Sequence, residues 1–153
     1  MKLSNRVTLD DLVYSETALK HGIDNTPKNL EVIENLKALC VNVLEPVFEH
    51  FGGQPDITSG YRCRELNRRL GSSDTSQHCI GEAVDFGIID TDIRDIAHWV
   101  DQNLEYDHLI IEKFNPDDLN KGWIHVSFKR SGDNRKQFQE FDGDTYKDVK
   151  TRT

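Results

Sequence analysis

The chain has 153 residues, 36% hydrophobic and 30% charged, a balance that suits one globular domain with its own core and excludes a disordered or fibrous chain. The net charge of -8 gives no electrostatic basis for binding nucleic acid or an anionic membrane, since both need clustered Lys and Arg. Three cysteines, Cys40, Cys63 and Cys79, are odd in number and too sparse for a disulfide framework, so reduced thiols are expected.

Met1 to Asp10 lacks the apolar run of a signal peptide, and no stretch is long enough to span a bilayer. Synthesis in the cytoplasm, without membrane insertion, is the expectation. Residues 1–25 read as an extended arm with one helical turn at Leu9 to Tyr14, and residues 26–153 as the globular domain. Thr26-Pro27 resembles an N-cap followed by proline at the first helical position. From there Leu30, Ile33, Leu36, Cys40, Val43, Leu44, Val47 and Phe51 recur near a 3.6 period until Gly52-Gly53. This is the long core helix, bent by Pro46 in its last turns.

Pro55 to Ser59 reads as a short strand and Arg64 to Leu70 as a short helix closed by Gly71. The basic run Arg62 to Arg69 is then a helix face. A polar loop, Gly71 to Gln77, delivers His78. Gly81 to Ile88 alternates as a strand does, and Asp92 to Leu104 has helical spacing. His108 to Phe114 and Gly122 to Lys129 are two further strands, and Asp142-Gly143 marks a hairpin. Helices first and antiparallel strands later imply an α+β domain.

Two of these strands carry metal-type ligands on the face away from their aliphatic residues. Val84, Phe86 and Ile88 share one face and Asp85 the other; Ile124, Val126 and Phe128 share one face and His125 the other. If the two strands are neighbours, Asp85 and His125 face one cleft, and His78 can close a triangle with them. Two imidazoles and a carboxylate form a recurrent catalytic zinc set that leaves a position open. Zinc there would polarise a carbonyl and activate water, which is the chemistry of peptide hydrolysis. Spacing alone does not separate this trio from a loop histidine and an unrelated strand pair.

Ser59-Gly-Tyr-Arg62, Thr75-Ser-Gln-His78-Cys-Ile-Gly-Glu-Ala-Val-Asp85 and Trp123-Ile-His125-Val-Ser together resemble the M15 metallopeptidases. These include D-Ala-D-Ala carboxypeptidases, D-Ala-D-Ala dipeptidases and phage endolysins that cut L-Ala-D-Glu bonds. The likeness covers roughly residues 26 to 130. It implies an α+β fold of the hedgehog/DD-peptidase type, with helices on a small, mainly antiparallel sheet that carries zinc on His78, Asp85 and His125. Gly22-Ile-Asp-Asn-Thr-Pro27 also resembles a branch rich in phage and prophage members. The implied partners are the stem peptides of peptidoglycan, cut by a monomer at the bacterial wall after release during lysis.

By the same resemblance Arg62 is the arginine aimed at the substrate carbonyl or its developing oxyanion, so it serves both catalysis and substrate binding. Ser76 is a further substrate-binding candidate, and Gln77 a residue that orients substrate or loop. The chain departs from the family pattern at the general base: many members carry Asp or Glu three residues before the last histidine, and here that residue is Gly122. Glu112 is the replacement candidate, because it shares a strand phase with Ile110 and His108 beside the strand of His125. His108 is a weaker candidate, Asp107 a strand-start residue. Cys79 reads as a small buried residue rather than a ligand.

Two other readings stay open, a D-Ala-D-Ala carboxypeptidase and a zinc-stabilised module that binds wall peptides or a protein without cleaving them. A non-haem iron oxygenase is disfavoured, since Ile80 stands where its carboxylate would follow the first histidine.

Overall fold

The computed structural model describes residues 1–152. Thr8 caps α1 (Leu9–Val13) with a reciprocal bond to Asp11, and Ser15 caps α2 (Glu16–Lys20). The first 25 residues, expected as an arm with one helical turn, thus hold two short helices. Leu3, Val7 and Leu12 are buried in the same core as the later helices and strands.

The core helix begins at Leu30, capped by Asn29 rather than by Thr26 as expected. It runs as α3 (Leu30–Leu39), widens into a π turn over Cys40–Leu44 and continues as α4 (Glu45–Phe51). Pro46 accounts for the wide turn. It has no N–H, and its ring would collide with the carbonyl four residues back, so the ladder opens instead, with Glu45 N–H donating to Cys40 O. Asn42 Nδ2 bonds Ala38 O at 2.8 Å. Gly52 and Gly53 end the helix with positive φ.

A six-stranded sheet follows in the order β1-β2-β4-β3-β5-β6. Its strands are β1 (Pro55–Ser59), β2 (Ala83–Ile88), β3 (His108–Glu112), β4 (Trp123–Ser127), β5 (Gln137–Phe141) and β6 (Tyr146–Asp148). β3 runs parallel to β5 and the other pairings are antiparallel, so the sheet is mixed. The connection 128–136 carries the chain from β4 past β3 to its far side. α5 (Arg64–Arg69) lies between β1 and β2, and α6 (Ile93–Asn103), capped by Asp92, between β2 and β3.

The sheet separates core from site. Val84, Phe86, Ile88, Leu109, Ile111, Ile124 and Val126 pack with Leu36, Leu39, Val43, Val47 and Ile96 in one apolar cluster. Phe48 meets Phe86 edge-on at 5.6 Å, worth about 1 kcal/mol beyond its buried area. The alternate residues of β2, β3 and β4 face the other way, onto a cleft walled by the 72–77 loop.

Candidate active site

Asp85 and His125 stand directly opposite one another in the β2–β4 register, with Asp85 Oδ1 2.9 Å from His125 Nδ1. Opposed residues of an antiparallel pair project to the same side, so alternation brings both into the cleft. His78 does not lie in an irregular loop: it belongs to a 3-10 turn, Gln77–Ile80. Ser76 caps that turn, its hydroxyl accepting from His78 N–H at 3.2 Å. His78 Nε2 is 3.4 Å from the same Asp85 oxygen.

The segment Ser59 to Arg62 fixes the outer side of His78. Gly60 O meets His78 Nδ1 at 2.7 Å, and Arg62 N–H donates to His78 O at 3.1 Å. The contact with Gly60 O occupies Nδ1 and turns Nε2 towards Asp85, so Nε2 is the atom that can serve as a metal ligand once it gives up its proton. This is the outer-shell arrangement that orients a metal-binding imidazole. Residue 60 must be glycine, because a Cβ there would run into the backbone of Leu12. Tyr61 N–H bonds Leu12 O at 2.7 Å, so α1 supports the site from behind.

His78, Asp85 and His125 offer ligand atoms that all lie within 4.8 Å of one another. Tetrahedral zinc with N and O ligands near 2.0–2.1 Å holds them about 3.3 Å apart. The two separations from Asp85, 2.9 and 3.4 Å, lie close to that value, and all three ligand atoms are near enough to share one metal. Burial pushes the Asp85 carboxyl up, but hydrogen bonds from His125 and His78 outweigh it and hold it below the usual carboxylate range. The acid is therefore an anion, as a ligand must be.

The four candidates around the trio differ in what holds them. Arg62 is clamped, with Nε on Ser59 Oγ at 2.9 Å, Nη1 on Asn67 Oδ1 at 3.2 Å and Nη2 on Asp85 Oδ2 at 3.3 Å. Ser76 lines the cleft with its hydroxyl already engaged as a cap. Glu112 also lines the cleft, and Trp123 Nε1 donates to its Oε2 at 2.7 Å. Burial, and then the Asp85 charge, push the Glu112 carboxyl above its ordinary value, while the Trp123 bond opposes this. His108 is half-buried and tied to Gln139 Oε1 at 2.8 Å.

Other residues act from outside. Asp107, read from sequence as a strand start, is a fully buried carboxylate gripped by Arg135 through Nε and Nη2 at 3.1 and 3.0 Å. Gln77 Nε2 donates to it at 3.1 Å, which ties the turn of His78 to the end of β3. Asn67, fully buried, joins Arg62 to Ser73 O. Neither network has a local sequence signature. The Cys79 thiol is pushed up by burial and is not in the ligand cluster. Together the cleft residues enclose about 430 Å³.

The Peptidase M15 family model matches residues 5–127. The chain belongs to the M15 peptidases. The match takes in the three ligand candidates, Arg62, Glu112 and the last 21 residues (5–25) of the stretch expected as an arm. No curated protein matches the chain significantly. An M15 peptidase acts on peptide substrates, and no helix among the described residues is long and apolar enough to cross a membrane.

Proposed function

We propose that this M15 peptidase is a zinc enzyme that hydrolyses peptide bonds in the stem peptides of bacterial peptidoglycan, as a wall-lytic endopeptidase of a phage or prophage. On this reading the α+β domain is of the hedgehog/DD-peptidase type. The single observation that carries the proposal is the arrangement on one sheet face: His78, Asp85 and His125 within ligand distance, with Glu112 on the neighbouring strand of the same cleft. The resemblance of Gly22 to Pro27 to a phage-rich branch supports the lytic role and its place of action at the wall.

His78, Asp85 and His125 would hold the zinc, which when bound would supply a Lewis acid for the scissile carbonyl and for water. Glu112 accepts the proton of the attacking water and returns it to the leaving amine. The clamped Arg62 guanidinium presents fixed positive charge to the oxygen that becomes negative as the carbonyl is attacked. Digesting purified peptidoglycan with and without a chelator, followed by mass analysis of released peptides, tests the proposal. Zinc-dependent release that Glu112→Gln abolishes supports it; release by the fully metal-free chain overturns it. Loss of a single terminal D-alanine would identify a carboxypeptidase. A zinc-loaded chain that binds wall fragments and cleaves none would identify a binding module.

A further inference from the structure

β5 and β6 lie beyond residue 127, where the family match ends, yet they extend the site. In the register across β4, β3, β5 and β6, Trp123 stands opposite Glu112, Glu112 beside Phe141 and Phe141 opposite Tyr146. These four side chains form one row on the sheet face that holds the metal ligands. Tyr146 closes the row, and it lines the same cleft as His125 and Glu112.

The ring of Tyr146 is stacked on Phe141, with centroids 4.4 Å apart and planes 24° apart, while the residue remains 54% exposed. One face is thus held and the other is free. Neighbouring strands are about 4.8 Å apart, so the backbone of Tyr146 lies about 14 Å across the sheet from that of His125. About four residues of extended peptide cover that distance. A dipeptide at the metal end spans about half of it.

We infer that Tyr146 is a specificity-determining residue: stacked on Phe141, it forms a distal subsite for the aliphatic and backbone surface of an extended peptide, several residues from the bond that is cut. The inference rests on the peptidase reading of this cleft. The fixed ring loses little freedom on binding, so its contact is converted into affinity efficiently. Long stem peptides are therefore favoured over short ones.

Calorimetric titration of a disaccharide pentapeptide and of an acetylated dipeptide into metal-free wild-type, Tyr146→Ala and Tyr146→Phe chains tests this without turnover. The wild type should bind the pentapeptide more tightly than the dipeptide. Tyr146→Ala should weaken the pentapeptide roughly fivefold and leave the dipeptide unchanged, whereas Tyr146→Phe keeps the wild-type preference. Undiminished pentapeptide binding by Tyr146→Ala overturns the subsite, as does equal weakening of both ligands or no pentapeptide binding by the wild type. If the zinc-loaded chain cleaves no wall peptide but the Tyr146 effect persists, the peptidase reading fails and the subsite stands. Cleavage without a Tyr146 effect leaves the reverse.

Discussion

Trp123 holds Glu112 by a 2.7 Å hydrogen bond from its indole N–H across the β3–β4 register. That bond lowers the pKa of the glutamate, against burial and the Asp85 charge, which raise it. Protonated Glu112 cannot accept a proton, so kcat/KM should fall on the acid side as Glu112 takes up its proton. In Trp123→Phe the opposing bond is gone, the pKa rises further and the acid limb should move to higher pH. A pH profile of peptide hydrolysis by the two chains measures this; an acid limb that stays in place or moves down would exclude Glu112 as the titrating base.

The carbonyl of Gly60 should matter to the metal although it touches none. Gly60→Ala places a methyl against the backbone of Leu12 and displaces the oxygen that orients His78. Zinc affinity should fall roughly 10–100-fold, the usual effect of losing an outer-shell partner. His78→Ala should lose more, since it removes a ligand. Competition against a chromophoric chelator gives both values. In parallel, chelation should lower the Tm of the wild type, and zinc should restore it.

How much of this was legible in the sequence depended on whether the information is local. Strand phase placed Asp85 and His125 on one face because alternation has a fixed period of two, and both lie on regular strands. The helix break at Cys40–Leu44 was announced only as a bend at Pro46, since periodicity cannot distinguish a kink from a π turn. The expected N-cap lies three residues early because Thr26-Pro27 and Asn29 both offer capping chemistry, and it is Asn29 whose side chain accepts from the Glu31 N–H. The roles of Gly60, Asn67 and Tyr146 depend on partners far away in the chain, such as Leu12, Ser73 and the strand order β3-β5-β6. No window of sequence contains those contacts. Asp107 looked like an ordinary strand-start acid for the same reason, its partner Arg135 being supplied by the connection to β5.

Asp107 should govern stability in acid. Burial raises its pKa, but the hydrogen bonds and charge of Arg135 prevail and bring it from 3.8 to about 2. The unfolded chain therefore takes up the proton first. The stabilisation, of order 2 kcal/mol, is fully present above about pH 4 and is lost as pH falls towards about 2. Asp107→Asn should lower stability at pH 7 and flatten this part of the curve. It should also weaken zinc binding, because Gln77 loses a charged acceptor beside the turn of His78. Denaturant unfolding at a series of pH values distinguishes this from a general loss of packing, which would lower the curve evenly.

On the proposed reading, Gly122 accounts for the absence of the general base from the position where the family resemblance leads one to expect an acid. Its φ is +75°, a region that side chains enter at a cost. A Cβ there would stand 2.5 Å from Glu112 O and 2.7 Å from Lys113 O. The backbone at the end of β3 fills the space that an acidic side chain needs, and Glu112, the proposed base, stands at that same strand end. Gly122→Glu should therefore destabilise the fold by about 1–3 kcal/mol through strain and overpacking. In the Glu112→Gln background it should restore no hydrolysis, because relieving the clash moves the strand that carries residue 112. Recovery of even a hundredth of wild-type kcat/KM in Gly122→Glu/Glu112→Gln, with an unchanged Tm, would show that the two positions are interchangeable and that the close backbone approach does not determine which one holds the acid.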